Sequence, residues 1–371
     1  VKLSCTGADL AQTAGWVAKI APTKPGNPVL AGVLLRAGES LSLQACDYET
    51  FGSAAMVGAV VHEPGTAVVS ARLLAEVAKV IPAKAEVTLL ADGSRMAVTA
   101  GRSRWALPEL DPEAWPHFPV APGSLGTVDG AEFGRALDRV LPAVSNDEAR
   151  RVLTGVRVEF GDGRITLVAT DTYRLGIATI PWTGEAASSL IVPAEMLRHA
   201  AVDGPVSISQ DGSVVTVSTR TCVVSGRLLA GEYVPYAKVL AAPTKGAATT
   251  VTVGVPELRA VVDGAAVVLG EHGHIQLRFA DDVCGVRPMG DNRGDADSDV
   301  DLVDMDGPAI TVAVAHRFLR DALACLEAPQ ARLTFTARPT AGFLLQPVTD
   351  GEVDGDYRHI LMPLNVARAA R

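Results

Sequence analysis

Aromatic residues are scarce in this sequence, at 5% of 371 positions, so any core must rest on aliphatic side chains. No apolar run approaches the roughly 20 residues that a membrane-spanning helix needs. The first ten residues, VKLSCTGADL, lack the basic and apolar segments of a secretory leader, and the expectation is a cytoplasmic protein. The five cysteines (Cys5, Cys46, Cys222, Cys284 and Cys325) are odd in number, scattered, and form no C-x-x-C pair. That argues against a disulfide framework and a zinc site and leaves them as small buried hydrophobes. Also missing are a G-x-x-x-x-G-K-[ST] loop, a G-x-S-x-G elbow and a G-x-G-x-x-G turn after a strand. Nothing pairs a nucleophile with a base, so neither an enzyme nor a cofactor is expected.

Positive charge is in deficit: 33 Lys and Arg face 42 Asp and Glu, a net charge of −9. Bulk electrostatics would repel nucleic acid, so any DNA contact must come from basic side chains arranged locally. With 48% hydrophobic residues, the chain is long enough for two or three cores.

What the chain does have is repetition. LQACDYETFG (43–52) returns as LVATDTYRLG (167–176), with Asp47 and Asp171 124 residues apart. Helix-like patterns follow Val69, Val192 and Val314, spaced by 123 and 122 residues; an earlier set aligns Leu10, Phe133 and Leu258. Each of the latter precedes a strand-like segment: GVLLRA, GVRVEF and IQLRFA. A period near 120 residues implies three copies of one unit. Each copy is α+β, with two helices and antiparallel strands. The expected domains are 1–120, 121–246 and 247–371. The stretches 116–128 and 241–254, rich in Pro, Gly, Ala and Thr, are expected to connect them. Asp-Gly pairs between alternating runs, as in AEVTLLADGSRMAVTAG, predict hairpins.

In the predicted helices the apolar residues cluster on one side, as do Leu73, Leu74, Val77 and Val80, or Phe133, Leu137 and Val140. The other side carries bases in every case: Lys19; Arg72 and Lys79; Arg135 and Arg139; Arg198; Arg259; Arg317 and Arg320. A single solvated helix often looks like this, but recurrence across three repeats suggests a basic lining within an acidic protein. The acidic run 291–307 fails the calcium-loop register, because the sixth residue from Asp295 is Val300 and not Gly; an exposed connection is expected. His272 and His274 lack a third metal ligand nearby. The competing class is a hydrolase or transferase on a repeated α+β scaffold, for which no nucleophile and base pair up; a third is a repeat module binding carbohydrate or protein, which has no need of basic helix faces.

Six segments together resemble the bacterial DNA polymerase III β subunit, the sliding clamp, across essentially the whole chain. They are NPVLAGVLL (27–35), GRSRWALPEL (101–110), RRVLTGV (150–156), LVATDTYRL (167–175), GEYVPYAKVL (231–240) and YRHILMP (357–363). The resemblance implies a head-to-tail homodimer forming a six-domain ring around double-stranded DNA, with helices inside and sheets outside. Binding would be topological and independent of sequence. The basic helix residues would face the DNA, joined by Lys24 and Arg150. Trp105 and Leu107 would meet the partner's third domain near Val267, although Trp105 equally suits the core of a strand. No membrane contact, metal or cofactor is implied.

The resemblance further implies a pocket that holds short linear peptides of polymerase subunits and of a clamp loader. Carried over position by position, it comprises Leu153, Thr170, Thr172, Tyr173, Arg174, Leu175, Val234, Lys238, Val239, Ala315, Phe318, Met362, Pro363 and Leu364. Leu153, Leu175 and Val239 are equally of a type that fills cores. Several positions depart from the family pattern. Thr172 and Tyr173 stand where Gly and His are usual, Val234 where Pro is common, and Ala315 where Asn is common. Asn365 and Val366 replace Arg-Leu, and a short tail follows. A specialised second clamp with an altered peptide or inhibitor pocket is the alternative reading.

Overall fold

The structure, a computed structural model, describes residues 1–117, 120–184, 189–270, 272–290 and 294–364. Its elements are α+β. Seven α-helices occur among the described residues: α1 (Gly7–Val17), α2 (Ala71–Val80), α3 (Gly130–Val140), α4 (Ala194–Arg198), α5 (Tyr236–Lys245), α6 (Val255–Val268) and α7 (His316–Ala324). The strands form two 13-stranded sheets. There are two compact units: Val1–Phe133 with Trp182–Ala186 and Val192–Leu229, and Gly134–Pro181 with Ala187–Ile191 and Ala230–Arg371.

In the first unit α1 and α2 pack against each other. Thr6 caps α1: its hydroxyl accepts from the Asp9 amide (3.1 Å) and donates to the Asp9 carboxylate (2.6 Å). Gly7 opens the helix because a Cβ there would lie 2.3 Å from the Pro82 carbonyl oxygen. Ser70 caps α2 by accepting from the Leu73 amide. The buried stripe of α2 is Ala71, Leu74, Ala75, Val77 and Ala78. Leu73 and Val80, expected in the core, are 38% and 68% exposed. The alanines take the inward positions and turn the two larger side chains outward. The core beneath is aliphatic, with Leu3, Leu10, Val33, Leu35, Leu43, Val69, Leu74, Leu89 and Val98 buried.

Two connections turn out to be regular structure. Residues 241–254 hold the end of α5 and the strand Ala247–Gly254. Of the acidic run, the described part holds the strand Ser298–Asp306, while residues 291–293 lie outside the described residues. Its exposed aspartates alternate with Val300, which turns inward. All five cysteines are free, and four are buried.

One arrangement recurs in both units. In the first, the strand Cys222–Arg227 pairs antiparallel with Thr50–Met56, from Cys222 opposite Ala54 to Gly226 opposite Thr50. In the second, Tyr357–Leu361 pairs antiparallel with Arg174–Pro181, from Arg174 opposite Leu361 to Ala178 opposite Tyr357. So the last strand of one repeat joins the sheet of the repeat before it. The last strand of the first repeat, Ser103–Leu110, has no such ladder among the described residues. It pairs fully with Arg95–Ala100, but only Glu109 and Leu110 meet the strand Gly65–Ser70. In the third repeat, Ser298–Asp301 pair with Val283–Val286 on one side and have no partner on the other among the described residues.

The joining strand of the second unit holds a buried polar group. His359 is fully buried; its Nδ1 lies 2.9 Å from the Tyr357 hydroxyl, and its Nε2 has no hydrogen-bond partner among the described residues. Tyr357 Oη donates to the Arg139 carbonyl oxygen (3.2 Å). Burial, and then the Arg174 charge, push the His359 imidazole down to about 3. Between its unfolded value near 6.5 and about 3, the unfolded chain binds the extra proton, so stability falls as pH falls through this window. The expected loss from this one group between pH 7 and pH 5 is about 2 kcal/mol. Urea unfolding of His359→Leu at the two pH values should show that part of the acid loss removed.

Candidate functional site

The duplicated LQACDYETFG and LVATDTYRLG motifs form the same turn. Asp171 Oδ1 accepts from the amides of Tyr173 (2.9 Å) and Arg174 (3.0 Å), as Asp47 Oδ1 does from Glu49 and Thr50. The residue after each aspartate takes the left-handed region, Thr172 at φ +78° and Tyr48 at φ +76°. Thr170 Oγ1 accepts from the Thr172 amide (3.0 Å) and donates to the Arg174 carbonyl oxygen (2.6 Å), locking the second turn.

Arg174 is the pivot. Its Nε donates to Asp171 Oδ2 (3.0 Å), one Nη donates to Asp321 of α7, and its guanidinium carbon lies 4.5 Å from the Phe318 ring centre. Arg317 covers Phe318 at 4.7 Å, and Tyr173 stacks on it with ring centres 6.0 Å apart. The Arg174 side chain is 10% exposed, so these contacts are made with little water present.

Beside this cluster lies a groove of about 370 Å³ lined by Thr170, Thr172, Arg174, Leu175, Val234, Pro235, Tyr236, Lys238, Val239, Ile360 and Met362. The wall from the chain between the second and third repeats is the start of α5. Pro235 precedes the helix, and buried Pro243 lies within it. The Tyr236 hydroxyl donates to Glu159 (2.8 Å). Burial and this carboxylate raise the phenol to about 12, so it stays protonated. The Met362 amide donates to the Tyr173 carbonyl oxygen (2.9 Å) and the Leu364 amide to Ala313 (2.7 Å), which fixes the last described segment here. An apolar floor rimmed by hydroxyls and cations suits an extended segment carrying one apolar plug.

Eight of the residues expected in a pocket therefore line this groove: Thr170, Thr172, Arg174, Leu175, Val234, Lys238, Val239 and Met362. Tyr173 and Phe318 form the neighbouring stack, and Ala315 precedes the first turn of α7. Pro363 and Leu364 continue from Met362 without lining the groove. Leu153, 2% exposed, is core and not wall. The expectation missed Pro235, Tyr236 and Ile360 as lining residues, although each lies inside a segment already singled out, 231–240 or 357–363.

Ten of the eleven expected DNA-facing residues are exposed: Lys19, Lys24, Arg72, Lys79, Arg135, Arg150, Arg198, Arg259, Arg317 and Arg320. Several are partly neutralised, Arg72 by Glu76, Arg198 by Glu195, and Arg259 and Arg320 by Asp263. Arg139 departs from the expectation. Its side chain is 19% exposed, lies over the Tyr357 ring and meets Asp354 at 3.5 Å. Of the expected subunit-contact residues, Val267 is 78% exposed. Leu107, at 1%, is core, and Trp105 is half-buried against the same core. The two side chains share the inward face of their strand, which leaves Arg104 on the outward one.

A thrice-repeated fold with a groove for a chain segment defines a binding protein built from clamp domains. Three family models of the DNA polymerase III beta subunit match in order: the N-terminal domain over residues 1–119, the central domain over 127–235 and the C-terminal domain over 241–364. The beta sliding clamp of Streptomyces coelicolor is 32% identical, covering 96% of this chain and 97% of that one. The beta sliding clamp homolog GriR of Streptomyces muensis is 30% identical, covering 97% and 98%. Among solved structures, the β subunit of Thermotoga maritima superposes with a TM-score of 0.88 at 21% identity, covering 98% and 99%. A Pseudomonas aeruginosa sliding clamp bound to griselimycin gives 0.88 at 23%, with the same coverage. The chain belongs to the DNA polymerase III β subunit family, the sliding clamps, whose members are non-catalytic processivity factors. No described helix is long and apolar enough to cross a membrane.

Arg174 joins the turn to α7 from a nearly dry position. Arg174→Ala leaves Asp171 without its guanidinium partner and is expected to cost about 3 kcal/mol in equilibrium unfolding. Arg174→Lys should recover only part of that, because an ammonium cannot span both carboxylates and the ring.

Proposed function

We propose that two copies of this chain close head to tail into a ring around duplex DNA, and that the groove beside Arg174 holds linear peptides of polymerases and of a clamp loader. The observation that carries the ring is the repeated joining ladder. Three repeats in one chain supply two such ladders and leave one strand at each end of the series unsatisfied. A second copy satisfies each end once, giving two equal contacts, a heterologous arrangement that closes after two steps.

The free edges are complementary. Beside Ser103–Leu110 stand Arg102 and Arg104, both exposed, and α2, which packs on that strand and presents Leu73 and Val80. Beside Ser298–Asp306 stand exposed Asp297, Asp299 and Asp301, and α6 presents Val267. Backbone pairing gives the contact its register, the apolar helix residues its burial, and the opposite charges its direction. In this reading the domains are 1–120, 121–246 and 247–371, the exposed helix bases contact phosphates without reading sequence, and the protein works in the cytoplasm. A second reading, a specialised clamp with an altered peptide or inhibitor pocket, is favoured by Thr172. It is a β-branched residue in a left-handed turn that also lines the groove. Relatives include a clamp named GriR and one solved with griselimycin, and inhibitor binding is the test of this reading.

Sedimentation should give twice the 38.5 kDa chain mass for the parent. Arg102→Glu with Arg104→Glu should shift it towards one chain mass. Loaded onto nicked circular DNA by a clamp loader, the parent should be retained until the circle is linearised. Retention that survives linearisation would contradict the ring.

A further inference from the structure

The groove wall contains a residue in a conformation its type rarely adopts. Thr172 sits at φ +78°, where the Cβ of an L residue crowds its own backbone and a second branch at Cβ adds to the cost. The conformation persists because its surroundings fix it. Asp171 holds the two following amides, Thr170 holds the Thr172 amide, and the first repeat makes the same turn with Tyr48 at φ +76°. The turn therefore belongs to the repeat, and the side chain at position 172 is carried passively into the groove.

That side chain is also tethered. Arg150 Nη1 donates to Thr172 Oγ1 (3.3 Å), while Arg150 Nε donates to Asp147 Oδ2 (2.9 Å). Asp147 is held below the usual carboxylate range, first by its hydrogen bond from Arg150 and then by the Ala149 amide. Because the Thr172 oxygen accepts from Arg150, its own proton is available to an acceptor in the groove.

We propose that Thr172 is a specificity-determining residue of this groove, limiting the size of the apolar plug on its wall and donating one hydrogen bond to the bound peptide. This rests on the reading of the groove as a peptide site. A glycine fits the same turn without strain and would remove the wall. A valine would keep the wall's shape and lose the hydroxyl.

The test uses three fluorescently labelled peptides of one sequence that differ only in the plug residue, Leu, Phe or Trp. Anisotropy titrations compare the full-length parent with Thr172→Gly, Thr172→Val and Arg150→Ala, and melting temperature is read for each. Thr172→Gly should improve binding of the Trp peptide relative to the Leu peptide by about tenfold, the usual discrimination for a small change in pocket volume. It should melt no lower than the parent. Thr172→Val should weaken all three peptides by a similar factor, about two- to tenfold, and adding Arg150→Ala to it should change nothing further. An unchanged ranking in Thr172→Gly, with the parent still binding, overturns this proposal and leaves the peptide site standing. No binding by any form, parent included, overturns the peptide site and this proposal with it.

Discussion

The backbone ladder that joins the last strand of each repeat to the sheet of the preceding one is the constraint on which the rest of this protein depends. Five residue pairs make it between Cys222–Gly226 and Thr50–Ala54, and five more between Arg174–Ala178 and Tyr357–Leu361. The ladder turns separate repeats into continuous sheets, and its absence beside the half-paired segments Ser103–Pro108 and Ser298–Asp301 leaves a place for a second copy. It also builds the groove. Arg174 begins one ladder strand and Leu361 ends the other, so the turn before the first and the Met362 segment after the second are brought side by side.

The duplicated Asp motif acquires a physical meaning from this. In both repeats the aspartate closes a tight turn at the start of a ladder strand, and the residue after it must accept a left-handed backbone. The second copy has put its turn to additional use, because Arg174 carries two carboxylates and an aromatic face from there to α7. Stability and the groove are thus coupled at one site, since Arg174 both lines the groove and holds the network, and Thr170 lines the groove and bonds the Arg174 carbonyl.

Much of this was legible in the sequence. The 123-residue period gave the repeats, and the apolar spacing gave the helices. The misses share a cause: local pattern does not record what arrives from far away. Trp105 and Leu107 alternate correctly for a strand face, but alternation cannot say whether that face meets its own core or a partner. Arg139 lies one turn from Arg135, yet Tyr357, 218 residues on, takes its guanidinium. Residues 241–254 look like a linker because Pro243 and the threonines obscure a helix and a strand. In Ser298–Asp306 the aspartates hide a strand whose outward face is acidic.

Amide hydrogen exchange at varied protein concentration tests the central claim most directly. If two copies share their open edges, those amides of Ser103–Ala106 and Ser298–Asp301 that point away from Arg95–Ala100 and Val283–Val286 will be protected at micromolar concentration and lose that protection on dilution. The amides of Cys222–Gly226, whose ladder lies within one chain, will not change. Free exchange of those outward-pointing amides in both segments at every concentration would contradict the account.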